Sequence, residues 1–152
     1  MIIADSREQT NDHILAYFER HDIPYIVHKL DVGDYALEGN DTVRVERKKS
    51  LGEMAHNLFG TDKARFYREI RRAREQGIKL IILCEHGGIR NLADVSRWKP
   101  RYGRVTGKSL SDAIFRLEIA YGTIVLFCDK RSTGKRIIEI LTSGGDENGI
   151  QN

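Results

Sequence analysis

Apolar and polar positions along this chain switch between two periods, and the switches mark its elements. "MIIAD" (1–5) is a short apolar run ending in Asp5, the pattern of a first buried strand. "NDHILAYFERH" (11–21) changes to the helical period, with Ile14, Leu15 and Phe18 on one stripe. Strands follow at 24–30, 34–38 and 41–48, the last two joined by a hairpin turn over Gly39-Asn40-Asp41. Helical spacing resumes at Ser50, breaks near Gly60 and runs again from Asp62 to Gln76. "IKLIILCE" (78–85) is apolar almost throughout, which predicts a central parallel strand buried on both faces. A loop over 97–108, a helix from Leu110 to Tyr121, a strand at 123–128 and a helix over 133–142 complete the series. The tail 143–152 is polar and glycine-rich and reads as frayed.

An antiparallel hairpin followed by strand–helix–strand units predicts an α/β fold, a mixed central β-sheet flanked by helices. The 152 residues suit one domain over 1–142 with a flexible tail over 143–152. A hydrophobic share of 40% with only two prolines excludes a disordered chain. The net charge of +3 is mildly basic, so an anionic partner has to be argued from local clusters. Cys84 and Cys128 lie in separate apolar runs and read as buried free thiols in a reducing compartment. The five histidines show no zinc spacing. Neither a signal-peptide pattern nor a membrane-length apolar run is visible, so an intracellular chain is expected.

Charge is concentrated in "VRVERKKSLGEM" (43–54). Asp34 opens one strand and Glu46 stands near the end of the next, so the hairpin brings both to one end. Two carboxylates there suit Mg²⁺, which takes oxygen ligands and keeps waters for a substrate phosphate. Lys48 lies two residues beyond Glu46 and therefore on the same strand face. A metal-held carboxylate with a lysine beside it is the combination that phosphodiester hydrolysis requires. Taken singly, E-x-K also fits a solvated ion pair, and Gly33-Asp34 an ordinary turn.

The order of the blocks adds information. "ADSRE" (4–8), "GDYAL" (33–37), "VERKKSLGEM" (45–54) and "FGTDKARFYREI" (59–70) follow one another. The series resembles the nuclease domain of the XPF/Hef endonucleases, with its D-x-R-E, G-D-Y and E-R-K-x-x-x-D signature, related to the PD-(D/E)xK nucleases. The likeness continues through "LIILCE", "SLSDAI", "IVLFCD" and "STGKRIIEIL", to about Leu141. It implies Asp34 and Glu46 as metal ligands for Mg²⁺ or Mn²⁺, with the Arg47 carbonyl a further candidate. It implies Lys48 as the catalytic lysine and Arg47 as a phosphate or structural partner. Asp5, Arg7 and Glu8 would line the same site. The signature departs at its last position, where Gly52 stands and Glu53 follows. Glu53 fits either a displaced site carboxylate or the capping box Ser50-Leu51-Gly52-Glu53.

The activity implied is a metal-dependent DNA endonuclease, selective for branched or flapped DNA in repair, recombination or replication. A non-catalytic DNA-binding partner subunit is the other reading, and the intact Asp34, Glu46, Arg47 and Lys48 argue against it. The helix–hairpin–helix module common after such domains is not expected here. The resemblance leaves a homodimer open, and the small single-domain form suggests a bacterial or phage setting, with the chain cytoplasmic or otherwise DNA-associated inside the cell. Ile114, Leu117 and Tyr121 share a helix face that serves either such an interface or the monomer core.

Two basic surfaces are candidates for nucleic acid. Arg65, Arg68 and Arg72 form a stripe on the 62–76 helix, which fits phosphate contact or a solvated face. Arg97, Lys99, Arg101, Arg104 and Lys108 lie in the 97–108 loop without one acid. Trp98 and Tyr102 are interleaved with them and suit stacking on unpaired bases, with Trp98 alternatively a core or dimer anchor.

Overall fold

The computed structural model describes residues 1–144. Its strands are β1 (Ile2–Ala4), β2 (Tyr25–Val27), β3 (Tyr35–Leu37), β4 (Asn40–Lys48), β5 (Lys79–Glu85) and β6 (Ile124–Cys128). They form one sheet in the order β2-β1-β3-β4-β5-β6. β1 runs parallel to β2 and antiparallel to β3, β3 and β4 form the hairpin, and β4, β5 and β6 are parallel. Helices α1 (Asp12–Arg20), α2 (Leu51–Phe59), α3 (Lys63–Glu75), α4 (Leu92–Arg97), α5 (Gly107–Tyr121) and α6 (Thr133–Thr142) cover the two faces. The mixed α/β sheet expected from the sequence is present.

β5 shows why a run with almost no polar position belongs at the centre. Leu80, Ile82 and Cys84 pack with Met54, Phe66, Ile70, Ile114 and Leu117 on one face. Ile81 and Leu83 pack with Ile14, Phe18, Ile137 and Ile140 on the other. Each such side chain contributes roughly 1.5–3 kcal/mol on burial, so a polar substitution on either face of β5 is costly. β4 is built differently. Val43 and Val45 enter the second core, while Arg44, Glu46 and Lys48 alternate onto the face covered by α2 and α3. A buried strand face carrying three charges costs free energy unless something is bound or paired there.

Several boundaries differ from the sequence expectation. The hairpin turn occupies Glu38-Gly39, because Leu37 pairs with Asn40 and Gly39 takes the positive φ of 83° that a two-residue turn demands. The 24–30 strand shortens to Tyr25–Val27 at the sheet edge. α5 begins at Gly107, with the Thr106 hydroxyl accepting the Ser109 N–H as its cap, so the predicted loop is shorter. α4 has no counterpart in the sequence reading, since two turns are too few to display a period. Its cue was a cap: Asn91 accepts the Asp94 N–H at 2.9 Å. Ile114 and Leu117 serve the monomer core, and Tyr121 packs against it. Cys84 and Cys128 are buried and free, on opposite faces of the sheet. Of the expected frayed tail, residues 145–152 lie outside the described residues.

Candidate active site

The turn into β3 sets the first carboxylate. Asp34 N–H donates to Val45 O at 2.7 Å, and Asp34 Oδ2 accepts the Arg47 N–H at 2.8 Å. Gly33, with φ 78°, makes this approach possible, since a Cβ there would meet Arg44 Cβ at 2.9 Å. The Asp34 carboxyl is thereby laid against that of Glu46, within hydrogen-bond contact. A third carboxyl, Glu69 of α3, contacts Glu46 and accepts the Gly33 N–H at 3.2 Å.

Burial dominates the electrostatics of the group. It pushes Asp34 up to about 6, against hydrogen bonds from Glu46 and the Arg47 N–H that pull it down. Glu46 is pushed well above the carboxylate range, first by burial and then by the charge of Asp34. Burial also acts to raise Glu69, but the bonds from Glu46 and Gly33 outweigh it and hold Glu69 low. Burial therefore favours the neutral form of Glu46, and a cation bound beside it would favour the charged form.

The residues fit such a cation. Glu46 Oε2 and Asn57 Oδ1 are buried acceptors with no hydrogen-bond partner, and both residues line one cleft of about 380 Å³. Orphaned buried acceptors are rare and costly, and a divalent ion supplies what they lack. Among the described residues no three or more His, Cys, Asp and Glu groups converge to cage a metal. A two-carboxylate site retaining waters is the arrangement that Mg²⁺ accepts.

The triplet Glu46-Arg47-Lys48 splits across the sheet. Arg47 turns to the α1/α6 face, with a side chain 1% exposed. It grips Glu8 through Nε at 2.7 Å and Nη2 at 3.0 Å, donates from Nη1 to Glu85, and reaches Gln9 O at 2.7 Å. Tyr35 also donates to Glu8, and Thr133 and His13 meet Glu85. Both oxygens of each partner carboxylate are thus engaged. Of the two roles that the sequence left to Arg47, this geometry is that of a structural partner, and Glu8 is occupied in holding it.

Lys48 stays on the carboxylate face. Its Nζ lies 4.9 Å from the Phe66 ring centroid and 4.0 Å from Glu53 Oε1. Glu53 lines the cleft beside Lys48. Of the capping box the Ser50 half forms, Ser50 Oγ accepting the Glu53 N–H at 3.1 Å, while Glu53 Oε2 accepts the N–H of Lys49 at 3.4 Å instead of that of Ser50. Asp5 lines the cleft with both oxygens engaged, by Arg7 at 3.1 and 3.3 Å and by the Leu30 N–H at 2.8 Å.

A second cleft of about 370 Å³ shares Asp34, Glu46 and Glu69 with the first and carries Arg7, Arg65, Arg68 and Arg72 along it. The α3 stripe therefore leads away from the carboxylates along this second cleft. The loop residues are placed elsewhere. Trp98, Arg101 and Tyr102 lie against another face of α2, Arg97 ends α4 paired to Asp94 at 2.8 Å, and Lys99, Arg104 and Lys108 are exposed. Trp98 is half-buried against the core, while Tyr102 is 87% exposed. Sequence reasoning missed Glu69, Asn57 and Glu85. Glu69 was legible only as an acid among arginines, and Glu85 as an acid ending a buried strand.

Known proteins supply the remaining comparison. The ERCC4 domain model matches residues 4–141. XPF from Aeropyrum pernix superposes with a TM-score of 0.72 at 24% identity, over 97% of this chain and 63% of that one. XPF from Aeropyrum pernix in complex with DNA gives 0.71 at 24% identity, over 93% and 63%. At that identity the likeness is one of fold, and this chain spans less than two thirds of those structures. No curated protein matches the chain. With the D-x-R-E, G-D-Y and E-R-K blocks assembled as described, the chain belongs to the ERCC4 domain family, with the fold of XPF.

Proposed function

We propose that this chain is a metal-dependent endonuclease that hydrolyses phosphodiester bonds in branched or flapped DNA. The observation carrying the proposal is the buried Asp34–Glu46 pair with an orphaned oxygen, beside Lys48 on the same strand face. Asp34 and Glu46 would hold Mg²⁺ or Mn²⁺. When bound, that ion neutralises phosphate charge and makes water a better nucleophile. Lys48, at the cleft wall, donates hydrogen bonds to the attacking water or to a phosphate oxygen and stabilises the charge that develops there. Glu53 keeps the ammonium pointed into the cleft. Asp5 fixes Arg7 at the mouth, and Arg65, Arg68 and Arg72 receive the flanking backbone. The structural neighbour solved in complex with DNA supports the substrate class. Repair, recombination or replication are the settings in which such DNA arises.

The proposal includes pairing of two copies. Phe115 and Ile119 stand 55% and 69% exposed one turn apart on the outer side of α5. Sedimentation equilibrium is expected to show a dimer that Ile119→Glu dissociates, and a monomer at all concentrations would remove this part.

The deciding experiment is cleavage of labelled flaps, splayed arms, four-way junctions and duplex with Mg²⁺, Mn²⁺ or EDTA. Metal-dependent cutting abolished by Lys48→Ala is the expected result. Binding without cutting under every metal would instead make the chain a non-catalytic DNA-binding subunit.

A further inference from the structure

α2 has two lined sides. Glu53 and Asn57 face the carboxylates, whereas Gly52, Ala55 and Phe59 face a separate cleft of about 410 Å³, closed on its far side by Trp98 and Tyr102. We infer that this cleft takes one unpaired nucleobase of a single-stranded DNA arm, an inference that rests on the nuclease reading above and names its substrate feature.

The walls are aromatic and the floor is small. Phe59 and Tyr102 are large apolar side chains left 45% and 87% exposed, which is costly without a planar group to cover them. Trp98 meets His86 edge-on at a centroid distance of 6.0 Å, and His86 Nδ1 accepts the Leu51 N–H at 3.0 Å. The second wall is thereby tied to the start of α2. Gly52 leaves space that packing does not demand: a Cβ there meets only Ser50 Oγ at 3.4 Å.

Charge selects a nucleic acid over an apolar peptide as the occupant. Arg101 lines the cleft, Lys99 and Arg104 are exposed beside it, and residues 97–108 contain no acid. That combination of ring faces and cations is how proteins hold single strands, the rings taking bases and the cations the phosphates. A base within duplex is stacked and paired, so only an unpaired one can enter. The two clefts are separated by α2, whose diameter with side chains is about 10 Å. The captured base therefore belongs within a few nucleotides of the phosphate at the carboxylates.

The test places 2-aminopurine, in turn, at each position of the single-stranded arm of a flap and follows its emission with the whole chain in EDTA. Quenching confined to one or two adjacent positions is expected. Gly52→Leu, which fills the cleft and improves helix propensity, should abolish that quenching. So should Tyr102→Ala, which removes an exposed ring and cannot unfold the core. An abasic site at the quenched position should weaken flap binding about tenfold, the loss of one stacked base. Uniform quenching, none at all, or quenching that survives Gly52→Leu overturns the inference. The readout needs neither metal nor cutting, so the two readings fail separately. Metal-dependent cutting without position-specific quenching removes the base cleft alone, and quenching without cutting removes the nuclease alone.

Discussion

Within Glu46-Arg47-Lys48, alternation along one strand sends Glu46 and Lys48 to the cleft proposed for chemistry and Arg47 to the opposite face of the sheet. Arg47 is a buried guanidinium neutralising two buried carboxylates, Glu8 and Glu85. Removing it strands both, at a cost of about 3–5 kcal/mol. Lys48 faces the cleft, where its loss allows the neighbouring carboxyls to take up protons instead. We expect Arg47→Ala to lower the urea midpoint severely, and Lys48→Ala to cost far less stability while reducing cleavage by about 10²-fold or more. Equal destabilisation by the two variants would contradict this division.

At the scale of elements, α3 does two jobs from two faces. Phe66, Ile70 and Ala73 pack it onto the sheet, Glu69 reaches the carboxylates, and the arginines follow the adjoining cleft. If Arg65, Arg68 and Arg72 each contact a duplex phosphate, each contributes about 0.9 to the slope of log K against log salt. Their triple substitution by Gln should therefore flatten that slope by about 2.7 units, measured by anisotropy on a duplex substrate. An unchanged slope would show that the stripe is only a solvated face.

For the molecule as a whole, the carboxylate group couples stability to pH, and would couple it to the divalent ion proposed for Asp34 and Glu46. The folded pKa of Asp34 is raised to about 6 from an ordinary 3.8, so the folded chain binds a proton that the unfolded chain has released. This contribution is fully present below pH 3.8 and is lost as pH rises through about 6. Glu46, raised by the same burial, acts in the same direction. A divalent ion competes with those protons and favours the charged form. The melting temperature difference between Mg²⁺ and EDTA should accordingly be small at pH 5 and large at pH 7.5. At 100 times its Kd, an ion held there would stabilise the chain by about 2.7 kcal/mol. Calorimetry showing the same difference at both pH values would count against the ion sitting on Asp34 and Glu46.

Periodicity alone was enough for the strands and long helices, because a side chain's face follows from its position in the repeat whatever lies opposite. β5 is legible for that reason, and so is the shared face of Glu46 and Lys48. The order of the charged blocks was likewise enough for the family. The turn at Glu38-Gly39, the two-turn α4 and the core placement of Ile114 and Leu117 were not legible, since each depends on a pairing register or on a partner element. The site divides in the same way. Asp34, Glu46 and Lys48 lie on one hairpin and declare themselves locally. Glu69 and Asn57 arrive from helices, and Arg47's burial depends on Glu8 and Glu85, which are 39 and 38 residues away along the chain. Only the folded sheet brings those charges together, because desolvation and charge pairing act through space and not along the sequence.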